Sequence, residues 1–125
     1  MIDHVSIAVH DLARCAAYYE TLLATIGLTR LVDREGTVGF GKKYPEFWLN
    51  TRPGKSSEPA ETGAHICLRA PSREAVDAFF AAALAGGGTS DGDPGPRQGA
   101  MTEYYGAFIL DPEGNKIEAV TFPRD

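Results

Sequence analysis

The sequence predicts an α+β fold built from two βαβββ modules. The first observation behind this is a repeat: shifting the chain by 61 residues lays His4 on His65, and each histidine opens an alternating strand pattern, His-Val-Ser-Ile-Ala-Val and His-Ile-Cys-Leu-Arg-Ala. The second is that both strands run into helices of matched design, followed by shorter strand-like runs. The third is a polar stretch rich in Pro, Gly, Ser and Glu over residues 52–63, which separates module 1 (1–51) from module 2 (64–125) as a linker. A chain of 125 residues buries enough surface to stand as one domain without staples.

The elements follow in order. Asp11 and Ser72 sit where a side-chain oxygen caps the free amides of a first helical turn. The helices behind them carry aromatic pairs at matching places, Tyr18-Tyr19 and Phe79-Phe80, then Leu22-Leu23 and Ala83-Leu84. Both stop near glycine, Gly27 and Gly86-Gly87-Gly88, where a left-handed residue ends a helix at no steric cost. Module 1 continues with strands expected over 28–33, 37–40 and 47–51, the last two joined by the turn-rich Gly41-Lys42-Lys43-Tyr44-Pro45. Module 2 continues with strands expected over 104–110 and 116–122, joined by Asp111-Pro112-Glu113-Gly114-Asn115, a hairpin turn by composition. A short strand is expected near 88–91, and the Pro- and Gly-rich stretch 90–99 reads as a loop.

Composition excludes several classes. The net charge is −5, which argues against nucleic acid or an anionic membrane as partner, since both select clustered basic surface. No run approaches the roughly 20 apolar residues that span a bilayer. Met1 leads straight into a strand pattern, so no signal peptide is expected. Cys15 and Cys67, one in a helical and one in a strand pattern, make no disulfide framework or thiolate metal motif, and a cytoplasmic location follows as the expectation.

Strand parity sorts the chemistry. Val5, Ile7 and Val9 form a row suited to packing under helices, and so do Ile66 with Leu68 and Ile117 with Ala119. His4, His65 and Glu118 then all fall on the opposite face. A single histidine at a strand start is ordinarily structural. Two imidazoles and a carboxylate on one surface instead match the ligand set that holds Fe, Mn, Zn or Ni and leaves positions open for substrate.

These residues carry a family resemblance. The paired βαβββ halves, the strand openings at His4 and His65, and Asp-Pro-Glu-Gly-Asn-Lys-Ile-Glu at 111–118 resemble the vicinal oxygen chelate superfamily of glyoxalases, bleomycin-resistance proteins and extradiol dioxygenases. The resemblance spans essentially the whole chain. It implies an open, U-shaped, eight-stranded mixed sheet with helices on its convex face, a metal or ligand cavity on the concave side, a small-molecule substrate and a homodimer. Four-ligand members such as glyoxalase I use a second carboxylate from the last strand of module 1. Aligning Phe40 with Leu110 puts Trp48 opposite Glu118, and Glu46 is one strand step of about 7 Å away. Four-ligand chemistry is therefore disfavoured, and His4, His65 and Glu118 remain as the metal set.

Position supplies the other candidates. Trp48 is a flat apolar wall or a core indole. Asn50 shares its face, and Arg69 shares that of His65 and would attract an anion. One of Tyr104 and Tyr105 is expected to face the pocket and to act as acid or orienting donor. Arg69, Arg97 and Lys116 are a thin cation set for a phosphonate. The leading expectation is a divalent-metal-dependent enzyme acting on a small oxygen-chelating substrate, with lyase, isomerase, transferase and dioxygenase chemistry all open. The alternative is a metal-free binding or drug-sequestering protein of the bleomycin-resistance type. Use of the fold for dimerisation alone is a third, less favoured possibility.

Overall fold

The computed structural model describes residues 1–58 and 62–123. Residues 59–61 of the expected linker, and 124–125 at the end of module 2, lie outside the described residues. Module 1 comprises β1 (Val5–Val9), α1 (Leu12–Ala24), β2 (Thr29–Arg34), β3 (Thr37–Gly41) and β4 (Pro45–Thr51). Module 2 comprises β5 (His65–Arg69), α2 (Arg73–Ala85), β6 (Thr89–Gln98), β7 (Glu103–Leu110) and β8 (Lys116–Thr121). The α+β class and the βαβββ repeat hold. Hydrogen bonding divides the eight strands into two open four-stranded sheets, ordered β1-β4-β3-β2 and β5-β8-β7-β6. Each is mixed, because β1 runs parallel to β4 and β5 parallel to β8 while the remaining pairs are antiparallel.

The repeat extends to register. Ser6 pairs with Trp48 on β4, and its counterpart Cys67 pairs with Glu118 on β8. Gly39 lies beside Trp48, and Phe108 beside Glu118. The indole thus holds in module 1 the place that the carboxylate holds in module 2.

The expected loop over residues 90–99 is instead most of β6. Its two prolines and two glycines are tolerated because β6 is an edge strand, where a missing N–H costs no ladder bond on the open side. Register shifts between Ser90 and Gly92 and between Gly92 and Gly95 absorb the irregular spacing.

The helices start as their caps dictate. Asp11 Oδ1 accepts the Arg14 N–H at 3.1 Å and Ser72 Oγ that of Ala75 at 3.1 Å. Gly27 and Gly87, at φ of +89° and +103°, take the left-handed turn out of each helix. The core fills the space between helices and sheets, with Tyr19, Phe40, Phe47 and Phe79 fully buried. Burying each such side chain contributes roughly 1.5–3 kcal/mol. No helix among the described residues is long and apolar enough to cross a membrane.

The modules are joined through the β7–β8 turn. Tyr19 Oη, on α1, donates to Asp111 Oδ2 at 2.5 Å in the buried interior. Glu113 accepts the backbone N–H groups of His10 at 2.6 Å and Asp11 at 2.8 Å, and the Cys15 thiol at 3.2 Å. The Lys55 ammonium stands 3.9 Å from the same carboxylate. The first turn of α1 holds no acidic residue, so Glu113 of module 2 adds a second carboxylate beside that of the cap residue Asp11 at the helix start. Asp111 is used up in its own turn as well, accepting from Glu113 N, Asn115 N and Asn115 Nδ2.

Candidate functional site

On β5, β7 and β8 the side chains pointing away from the helices form one polar face. Ile117 and Ala119 go into the core, so Glu118 between them goes to the open side, yet it is only 5 % exposed. His65 Nε2 lies 3.2 Å from Glu118 Oε1, and the imidazole itself is half-exposed. Cys67 and Tyr104 also border this carboxylate. Partial desolvation, and then the negative charge of Glu118, pushes the Cys67 thiol up to about 12, so at neutral pH it is a donor and not a thiolate. Desolvation first, and then Glu118, raises Tyr104, which keeps its phenolic proton. The His65 ring meets the edge of Phe108 at 5.8 Å. A half-exposed imidazole, a buried carboxylate and two protonated hydrogen-bond donors can bind an oxygen-rich small molecule or a cation.

His4 is not part of this group. It precedes β1, its side chain is 54 % exposed, and its Nδ1 stands 2.6 Å from Asp3 Oδ1. Among the described residues no three His, Cys, Asp or Glu side chains are gathered as a metal ion would require. Within one chain the fit to a metal is therefore partial: His65 and Glu118 converge, and His4 stays in module 1.

The remaining candidates divide between faces. Trp48 lies on the open side of module 1, between the core residues Phe47 and Leu49, with its ring over Gly39. Asn50 is engaged on both sides, accepting from Thr37 Oγ1 at 2.5 Å and donating from Nδ2 to Ser6 Oγ at 2.5 Å. It braces β1 to β3 across β4 and has little capacity left for a ligand. Tyr105 turns toward α2, donating to Asp77 Oδ1 at 2.6 Å. That leaves Tyr104 as the tyrosine of the open face. Arg69 stacks on Phe122, 4.7 Å above the ring. Arg97 is held by the carbonyls of Asp93, Gly95 and Gly106, and Lys116 pairs with Asp91 at 2.8 Å.

Two features were not visible as site residues in the sequence. Cys67 reads from the sequence as a cysteine in a strand pattern, and nothing in its spacing marks it as a neighbour of Glu118. Glu113 was placed in a turn by composition, and nothing in its spacing marked it as the acceptor for the start of α1.

A family model described as the Glyoxalase/Bleomycin resistance protein/Dioxygenase superfamily matches residues 1–119. Among solved structures, a glyoxalase/bleomycin resistance protein from Albidiferax ferrireducens T118 is 34 % identical, with a TM-score of 0.84 over 94 % of this chain and 96 % of that one. A glyoxalase/bleomycin resistance protein/dioxygenase family enzyme from Burkholderia phytofirmans PsJN is 20 % identical, with a TM-score of 0.73 over 98 % of each chain. A domain of the same description from Frankia sp. EAN1pec is 15 % identical at a TM-score of 0.75, again over 98 % of each chain. The last two show the fold alone. Among curated proteins, none matches this chain.

Proposed function

Because this chain belongs to the glyoxalase/bleomycin resistance protein/dioxygenase superfamily, we propose that it is a cytoplasmic, divalent-metal-dependent enzyme acting on a small oxygen-chelating substrate. His65 and Glu118 are the ligands from module 2. His4 is the third and is supplied by module 1 of a second copy, which makes the active form a homodimer. The observation that carries this reading is the 3.2 Å separation of His65 Nε2 and Glu118 Oε1. Donors that bind one ion at about 2.0–2.2 Å in neighbouring positions stand about 3 Å apart. The two free thiols, Cys15 and Cys67, support a reducing compartment.

A divalent ion bound there supplies Lewis acidity to paired substrate oxygens. The chain's own residues do the rest. Tyr104, protonated and beside Glu118, orients a substrate oxygen or gives it a proton. Trp48 forms a flat wall, Asn50 steadies the strand that carries it, and Arg69 draws an anionic group toward the open face.

The test is elemental analysis of protein purified without metal-affinity steps and reconstituted anaerobically with Fe, Mn, Ni and Zn. Near-stoichiometric metal in the parent, lost in Glu118→Ala and in His4→Ala, supports the reading. Mixing those two variants regenerates intact sites only if His4 and Glu118 come from different copies. A parent that takes up no metal sinks it.

A second reading is favoured by one specific observation, the indole of Trp48 at the counterpart of Glu118. In that reading the protein is a metal-free small-molecule binder that stacks its ligand on Trp48. Ligand-dependent quenching of tryptophan emission in chelator would support it.

A further inference from the structure

Beyond β8, the chain borders two adjoining cavities of about 350 and 220 Å³ that share Pro71, Thr121, Phe122 and Pro123. Arg73 lines the larger and Arg69 the smaller. Each guanidinium is laid on an aromatic ring, Arg69 on Phe122 at 4.7 Å and Arg73 on Tyr105 at 4.9 Å. Among the described residues neither has a carboxylate or carbonyl partner, although acidic side chains outnumber Lys and Arg by 17 to 12. Stacking occupies the face of a guanidinium and leaves its edge, where the N–H donors lie, open for a planar oxyanion. By contrast, Arg97 spends its donors on backbone carbonyls and Arg30 pairs with Glu20 and Asp33.

The walls favour a flat ligand. Phe122 is 36 % exposed, and Tyr104 stands beside it with ring centroids 5.9 Å apart. Aromatic rings prefer such offset or tilted partners, and a third ring fits against them in a cavity of this size. One carboxylate, Glu103, lines the larger cavity and opposes an anion there.

We propose that this end of module 2 binds an aromatic carboxylate, with its oxyanion on the free edges of Arg69 and Arg73 and its ring against Phe122. The site goes beyond the metal reading and stands without it. Tyr104 lines the cavity and also borders Glu118, so a ligand held here is continuous with the open face.

The probe is benzoate, titrated into isotopically labelled protein in the presence of EDTA, with backbone amide shifts as readout. Chelator makes the outcome independent of metal binding, so failure here and failure of the enzyme reading are separate results. Saturable shifts confined to residues 69–73, 104–105 and 121–123 are expected. Arg69→Gln should weaken benzoate about tenfold, the loss of a charge-assisted hydrogen-bonding partner. Glu103→Gln should tighten it by removing the like charge. Both side chains are exposed, and an unchanged melting curve confirms folding. No saturable response to benzoate overturns the proposal. So does equal binding of neutral benzamide, which would remove the anion, or of inorganic phosphate, which would remove the ring.

Discussion

Tyr19 and Asp111 meet across the junction of the modules, the phenol of α1 donating to the carboxylate of the β7–β8 turn at 2.5 Å. Burial, and then the charge of Asp111, raises the tyrosine well above its ordinary range, so it remains a donor throughout the accessible pH range. Tyr19→Phe keeps the ring and deletes only this bond. It should cost about 1–3 kcal/mol, because a buried carboxylate loses one partner. Urea titration measures this, and an unchanged midpoint would show that the junction does not depend on the bond.

Glu113 gives the junction a pH dependence. Burial opposes its charge, but the amides of Asp11 and His10, the Cys15 thiol and the Lys55 ammonium outweigh that and hold its pKa below the ordinary value of 4.5. A depressed carboxylate stabilises the fold above its unfolded pKa, and that contribution is lost as pH falls through the lower folded value. Melting temperatures of the parent and Glu113→Gln should therefore differ at pH 7 and converge below pH 4.5. A constant gap across that window would contradict the assignment.

Gly39 makes room for the chain's one tryptophan. A Cβ at this position would meet Trp48 Cζ3 at 2.9 Å and Pro45 Cβ at 3.0 Å. Gly39→Ala should lift the indole, shift its emission to the red and destabilise the fold by about 1–3 kcal/mol. Emission identical to the parent's would mean that the ring moves freely at no cost.

Trp48 and Glu118 hold equivalent positions, which gives a gain-of-function test of the metal reading. Trp48→Glu adds a carboxylate where four-ligand relatives are expected to have one. Divalent-metal affinity, measured by competition with a chelator on folded protein, should rise severalfold if module 1 of a second copy completes the site. Unchanged affinity would separate module 1 from the metal altogether.

The parts of this molecule that obey local rules were legible in the sequence. Alternation assigned His65 and Glu118 to one face, and the alignment of Phe40 with Leu110 put Trp48 opposite Glu118, as the register has it. The parts set by neighbours were not. Strand β6 was hidden by its prolines, which are tolerated because no strand among the described residues pairs with its outer edge. Asn50 looked available until Ser6 and Thr37 took its amide. Parity allowed either tyrosine to face the pocket, and Asp77 on α2 drew Tyr105 away. The separation of His4 from its expected partners depends on how the two modules pack, which no periodicity encodes.

The bond between Tyr19 and Asp111 also bears on ancestry. The repeat makes Phe80 the counterpart of Tyr19 and Gly41 the counterpart of Asp111. A duplicated module that once paired with its own copy would have made this bond twice, once in each direction. Phe80 has no hydroxyl to give and Gly41 no carboxylate to receive it, so one direction survives. At this junction the two halves are complementary rather than equivalent, module 1 giving the proton and module 2 receiving it.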